Sequence, residues 1–299
     1  VTRYWPLLLL LASMWGASYL FIKLAVEDIP PAAMTEARVL AAGLLLTAYL
    51  AARVGARGAL AQIRGAWRAC LVLGIVNAAL PMTLVAWGEQ HIDSSIAAIA
   101  QASVPIFVAL LSLRFLPHEP LGPSRVVGLA VGISGVVLIT GFHPDGGWWA
   151  VAGTLAVVLS SVSYASGGIF GQLQVHGTPG PVLAAGSMLA AAAVLMPFAL
   201  AEPPTSAPGT SAVVGLLLLI LLPTVIGQLL LFRILRLHGS RRLSLVTYLM
   251  PGFAIVYGAL ILGESITAAA LGGLALILLG IALASGQRLF GWGAQESPA

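Results

Sequence analysis

Residues 251–264 read PGFAIVYGALILGE, and residues 105–119 read PIFVALLSLRFLPHE. Each stretch is an apolar run that opens on a proline and closes on a glutamate at a short turn. Two glycine-spaced apolar runs follow, at 122–141 and 266–288. Pro105 and Pro251 are 146 positions apart, and after a one-residue slip Glu119, Gly128, Gly135 and Gly141 pair with Glu264, Gly273, Gly280 and Gly286 at an offset of 145. A weaker match sets Trp15 and Phe21 opposite Tyr164 and Phe170. The chain reads as an internal duplication, and the number of apolar runs per copy decides its architecture.

Working outward, ten apolar runs emerge, at 5–26, 31–53, 67–89, 94–116, 122–141, 149–172, 179–200, 211–235, 242–262 and 266–288. They are separated by turn chemistry: Glu-Asp-Ile-Pro-Pro at 27–31, Leu-Pro-His-Glu-Pro at 116–120, His-Pro-Asp-Gly-Gly at 143–147 and Glu-Pro-Pro at 202–204. Runs of about 20 apolar residues suit helices that cross a bilayer and satisfy their own backbone. A transmembrane β-barrel would instead alternate polarity over about 10 residues per strand. The composition agrees, at 59% hydrophobic and 8% charged, against about 25% charged in soluble domains. This excludes a water-soluble enzyme or nucleic-acid-binding module. The first run is expected to be a span and not a cleaved signal peptide, because it lacks a clear small-residue cleavage site.

The expected fold class is all-α integral membrane, with ten transmembrane helices. Five spans per copy is an odd number, so the second copy enters the membrane upside down. The expected units are residues 1–146, residues 147–288 and a cytoplasmic tail, 289–299. Such inverted repeats surround a midplane cavity that opens alternately to either side. Glu119 and Glu264 then fall on opposite faces, as re-entry turns and not as one catalytic pair.

The cations set the sidedness. With the N-terminus inside, Arg3, Arg53, Arg57, Arg64, Arg68, Arg114, Arg125, Arg233, Arg236, Arg241, Arg242 and Arg288 all fall on the inner side, 12 of the 14 Lys and Arg residues. The outer ends carry mostly acids. This positive-inside pattern predicts an inner (cytoplasmic) membrane protein with both termini cytoplasmic. It also accounts for the net charge of +4 without a nucleic-acid partner. The single cysteine, Cys70, excludes an internal disulfide. No phosphate loop, zinc pair or nucleophile turn occurs, so no cofactor, metal or enzymatic activity is expected.

Two five-span repeats, each ending in a Pro-bearing span, a Glu-containing turn and a Gly-rich closing span, together with the opening Trp15-Gly16, resemble the EamA-type carriers of the drug/metabolite transporter superfamily. The resemblance covers roughly residues 5 to 287, and among ten-span members the YddG type of amino-acid exporter is the nearest. It implies cytoplasmic termini and a central cavity lined by spans one, three, four, six, eight and nine. It does not fix the substrate class.

Candidate cavity residues are polar or aromatic groups at mid-span. On span three, Asn77, Pro81, Leu84 and Gly88 follow helical spacing; on span four, Ala97, Gln101 and Pro105 do the same. Repeat symmetry carries the second stripe to Thr247 and Pro251, with Tyr248 beside them. Pro105 and Pro251 each free a carbonyl one turn earlier. That carbonyl can hold an ammonium group, or the kink is accommodated in lipid with no ligand contact; either way it is a bending point for gating. Trp15 and Tyr164 offer ring faces to an amphipathic solute, whereas Trp87 suits the interfacial belt. Gln228 bridges another helix or contacts substrate. Lys23, Glu36 and Arg38 lie towards the outer ends of their spans. They snorkel or form a Lys23–Glu36 ion pair; the sharper alternative is an outer gate, with Arg38 drawing in a carboxylate. No mid-membrane carboxylate is apparent, which favours facilitated movement over obligate proton coupling. Gly128, Gly132 and Gly135 suit close helix packing within a monomer, with dimerisation open. The expected function is export of a small-molecule substrate, an apolar or aromatic amino acid, by alternating access. The alternatives are a nucleotide-sugar or other metabolite or drug exchanger, a channel and an intramembrane enzyme.

Overall fold

The computed structural model describes residues 4–115, 122–141, 147–243 and 245–284, without the side chains of residues 141 and 240–242. Glu119, Gly286, Arg3, Arg288 and the tail at 289–299 lie outside the described residues. The spanning helices are α1 (Tyr4–Val26), α2 (Pro31–Val54), α3 (Trp67–Glu89), α4 (Ser94–Phe115), α5 (Pro123–Gly141), α6 (Gly147–Gln174), α7 (Gly180–Ala201), α8 (Thr210–Gly239), α9 (Val246–Leu262) and α10 (Ala268–Ala284). All ten expected spans are present. A further short helix, Ala56–Gly65, links α2 to α3. It tucks Ala59 against Leu50 and Val182 and leaves Arg57 and Arg64 exposed.

The helices pack as a duplicated fold. α5 lies along α10, and α2 lies along α7. α1 packs on α8 and α9 as α6 packs on α3 and α4. Exchanging α1–α5 with α6–α10 returns these same packing pairs, as an in-plane two-fold axis requires. The α5–α10 seam makes this concrete. Gly128 backs onto Gly280 and Ala284, and a Cβ on Gly135 would stand 2.7 Å from the Gly273 carbonyl oxygen. Gly128 and Gly135 are the repeat counterparts of Gly273 and Gly280, so the seam joins each glycine to its partner's counterpart. The small-residue pattern serves packing inside one chain.

Several spans depart from regular helix. α3 carries a π-helical turn at Ile75–Ala79, followed by Pro81; its counterpart α8 carries one at Ile220–Ile226, containing Pro223. α9 ends in a third, Gly258–Leu262. α4 breaks at Ala102–Ser103 just before Pro105, and the Ser103 hydroxyl donates to the Ala100 carbonyl at 2.6 Å. Irregular backbone of this kind is tolerated at membrane depth where it is buried in protein or lines a cavity.

Candidate functional site

The π-helical turns of α3 and α8 and the α4 break border one cavity of about 460 Å³. Its walls come from both copies. α1 contributes Trp15, Ser18, Tyr19 and Ile22, residues at i, i+3, i+4 and i+7 on one face. α3 contributes Leu73, Asn77, Met82 and Val85; α8 contributes Pro223, Thr224, Gln228, Leu231 and Phe232. Gln101, Ala102 and Val104 come from the α4 break, Tyr164 from α6, and Thr247 and Met250 from α9. Two further helices take part beyond those expected. α2 supplies Arg38, and α7 supplies Leu183, Ala184, Ser187 and Met188.

Of the residues anticipated as substrate-binding, Trp15, Asn77, Gln101, Tyr164, Gln228 and Thr247 line this cavity. Pro81 and Tyr248 do not: Pro81 is buried, and Tyr248 packs against the apolar core. The reason for Pro81 is geometric. Helical spacing of 3.6 runs from Asn77 to Pro81, Leu84 and Gly88, but the π-helical turn inserts an extra residue. The cavity stripe of α3 is therefore Leu73, Asn77, Met82 and Val85, and Gly88 turns instead against Gly153 and Val157 of α6. Among the prolines expected to gate, Pro105 follows the α4 break and Pro251 is buried in α9; neither forms cavity wall.

Gln101 and Trp15 are engaged with neighbouring helices. Gln101 Nε2 donates to Ser161 Oγ at 3.1 Å, and Ser160 Oγ donates to Gln101 Oε1 at 2.7 Å, so this amide clamps α4 to α6. Trp15 Nε1 donates to the Pro223 carbonyl at 3.2 Å, tying α1 to the π-helical turn of α8 while the ring faces the cavity. Asn77, by contrast, is exposed to the cavity beside Gly167.

The outer-end charges are placed differently from expectation. Arg38 is buried and reaches the cavity, where its Nε donates to Thr224 Oγ1 at 2.9 Å; Thr224 in turn donates to the Leu219 carbonyl at 2.7 Å. Tyr19 and Tyr164 line the same cavity. A guanidinium thus stands in the wall of a cavity otherwise lined by apolar, aromatic, amide and hydroxyl groups, which a count of charges at span centres did not reveal. Lys23 does not pair with Glu36. Its Nζ donates to the Glu89 and Ile92 carbonyls at 2.7 and 2.9 Å, capping the C-terminal end of α3, while Glu36 Oε1 is buried without a hydrogen-bond partner among the described residues.

These caps belong to a seal on the side away from the chain termini. The Glu264 carboxylate accepts the backbone N–H groups of Ser94 at 2.7 Å and Ser95 at 3.0 Å, fixing the N-terminus of α4. The turn before it needs Gly263, whose φ of 70° is left-handed. Asp28 accepts the Gly209 N–H at 2.7 Å, and Gln90 reaches the Val26 carbonyl at 3.5 Å. Outside the seal lies a vestibule of about 380 Å³ walled by Lys23, Glu27, Asp93, Gly263 and Glu264. On the opposite side, the cavity wall continues to Leu183, Leu231 and Thr247, close to the terminus-side ends of α7, α8 and α9.

Sequence reasoning missed Tyr19, Thr224 as the Arg38 partner, and Glu89. Tyr19 had a signal, standing one turn after Trp15. Thr224 and Glu89 had none short of the irregular backbone that orients them.

Comparison with known proteins agrees with this architecture. The family model described as "EamA-like transporter family" matches twice, at residues 3–141 and 151–286. An uncharacterized inner membrane transporter of Escherichia coli strain K12, YedA, is 30% identical over 259 residues, covering 85% of this chain and 81% of its own. An uncharacterized transporter of Archaeoglobus fulgidus is 26% identical, covering 93% and 97% of the two chains. A solved crystal structure matches with a TM-score of 0.65 at 21% identity, covering 93% of this chain and 95% of its own, and shows the same fold. The protein is a multi-pass membrane transporter of small substrates, of the kind its E. coli relative is in the inner membrane. The chain belongs to the EamA-like transporter family.

Proposed function

We propose that this transporter exports zwitterionic solutes, apolar or aromatic amino acids, by alternating access, and that it belongs functionally with the YddG type. The supporting observation is Arg38, the one charged side chain among the described residues of the cavity wall. Its guanidinium, steadied by Thr224, matches a single carboxylate, for which a planar fork of donors is suited. Asn77 and Gln228 line the same space, and an amide can accept from an ammonium group. Trp15, Tyr19 and Tyr164 with Leu73, Val85 and Met188 form an apolar lodging for the side chain. A nucleotide sugar brings more negative charge than one guanidinium balances.

The termini lie on the cytoplasmic side, as the cation distribution favours. The seal of Lys23 and Glu264 then faces outward, and the cavity is oriented towards the cytoplasm, ready to load. Pro105, Pro251 and the α4 break act as bending points, with Lys23, Glu36 and Arg38 placed to respond when the seal opens. The two copies, residues 1–146 and 147–288, rock as units within a monomer.

Counterflow in proteoliposomes with a panel of labelled amino acids, nucleotide sugars and cationic drugs tests the reading. Exchange of aromatic or branched apolar amino acids is the expected result. Transport confined to sugar nucleotides or to cations would overturn it.

A further inference from the structure

Glu89 is the last residue of α3, and the π-helical turn sets it one helical turn beyond Val85 on the cavity face. It is 0% exposed, and neither carboxyl oxygen has a hydrogen-bond partner among the described residues. A carboxylate without donors in such surroundings is costly, and an ionisable group held in this way inside a membrane protein marks an ion or proton path. Its neighbours lie on two sides. Towards the cavity are Tyr19 of α1 and Arg38 of α2; towards the vestibule are Lys23 of α1 and Glu264 of the α9–α10 turn. α6 closes against the adjacent Gly88 through Gly153 and Val157. His91, on the α3–α4 connection, is occupied with the rings of Trp87 and Trp149, at 4.7 and 5.2 Å between centroids. Glu89 thus separates the central cavity from the outer vestibule.

The arrangement around Lys23 gives this position two states. Its ammonium donates to the backbone carbonyl of Glu89 and not to the carboxylate of the same residue. We infer that Glu89 is the binding site of a transported or regulatory proton, and that its protonation holds the outer seal shut by leaving Lys23 on the α3 carbonyls. When the carboxyl releases its proton through the Lys23- and Glu264-walled vestibule, the new carboxylate draws the ammonium from the Glu89 and Ile92 carbonyls into an ion pair. The end of α3 then loses its cap, and the α3–α4 corner is free to move. Nothing but the proton is gained or lost in the step.

The test needs no solute, so its outcome is independent of the substrate proposed above. Infrared difference spectra of the purified full-length protein, recorded across a pH titration, should contain a protonated-carboxyl C=O band that Glu89→Gln removes and Glu89→Asp retains at a shifted position. In a Cys70→Ser background, Ile22→Cys reports opening of the seal to an impermeant maleimide added from the vestibule side. Divided at each pH by the rate for the same thiol in denatured protein, which cancels the thiolate fraction, its labelling rate should rise with pH by at most about tenfold per unit, the limit for one titrating proton. Glu89→Gln mimics the proton-bound form, so this normalised rate should stay low at every pH; Glu89→Asp should restore the rise. If Glu89→Gln leaves both the band and the pH dependence unchanged, the proton is elsewhere and the inference fails. Absence of any protonated-carboxyl band from the unmodified protein also overturns it.

Discussion

Replacing Glu264 by alanine isolates the energetic worth of the outer seal. Its carboxylate takes two backbone N–H groups, from Ser94 and Ser95, at 2.7 and 3.0 Å. Hydrogen bonds to a charged acceptor contribute about 1.5–3 kcal/mol each, and a negative charge at a helix N-terminus adds about 0.3–1 kcal/mol. Glu264 is half-buried and borders the vestibule, where water and salt screen the interaction. Water also takes over as acceptor once the contact opens. The lower figures therefore apply, and with a further discount for screening the contact favours the sealed state by about 2 kcal/mol. If only the sealed state makes this contact, its loss shifts the sealed-to-open ratio by roughly thirtyfold. The assay is labelling of Ile22→Cys, on the cavity wall, by an impermeant maleimide from the vestibule side at fixed pH. Glu264→Ala should accelerate it by that order, and Glu264→Gln, which keeps one acceptor oxygen, by less. An unchanged labelling rate accompanied by a lower melting temperature would refute the reasoning, because the contact would then hold the fold and not one conformation of it.

Substitutions at four other positions follow from the local packing. Arg38→Gln should raise the KM for an amino-acid substrate by at least about tenfold in counterflow, because the lost carboxylate contact is charge-assisted; Arg38→Lys should rescue only part of it. Gly135→Ala forces a Cβ to within 2.7 Å of the Gly273 carbonyl oxygen and should cost about 1–3 kcal/mol, read as a fall in melting temperature in detergent. Gly168→Ala, where a Cβ meets nothing within 4 Å, should be neutral or stabilising by about 0.4–1 kcal/mol. Gln101→Ala breaks the amide clamp on Ser160 and Ser161 but leaves both hydroxyls bonded to the Val157 carbonyl; it should cost about 1–3 kcal/mol in stability, with a larger effect on melting than on KM.

Gly135 and Arg38 also mark where the sequence was legible and where it was not. Spans were readable because lipid demands long apolar helices, and the duplication because Gly128, Gly135, Gly273 and Gly280 must keep their spacing for α5 and α10 to meet. Trp15, Tyr164 and Gln228 were readable as polar or aromatic groups in apolar surroundings, and they do face the cavity. For Arg38 the sequence leaves snorkelling and carboxylate binding as alternatives, because depth along the chain is not depth in the protein: a residue only two turns into α2 buries its head between helices when Thr224 is there to receive it.

The α3 face shows the more general cause. A 3.6-residue period is a statement about regular helix, and one π-helical turn at Ile75–Ala79 invalidates it for every later residue of the span. Before that turn, Leu73 and Asn77 obey the period and reach the cavity together. After it, the face moves forward by one residue, from Pro81 and Leu84 to Met82 and Val85, and from Gly88 to Glu89. The shift trades a glycine at the outer end of the stripe for a carboxyl group. Gly88, released from the cavity, becomes the point where α3 meets Gly153 of α6, a contact with no room for a side chain. One extra residue thus serves packing and polarity together: it brings the two halves into close approach and sets the only glutamate of α3 between the cavity and the vestibule. The matching turn in α8, at Ile220–Ile226, positions Thr224 under Arg38 and the Pro223 carbonyl over Trp15. The two copies therefore share a backbone irregularity but load it with different side chains, so that the fold is symmetric while the cavity chemistry is not.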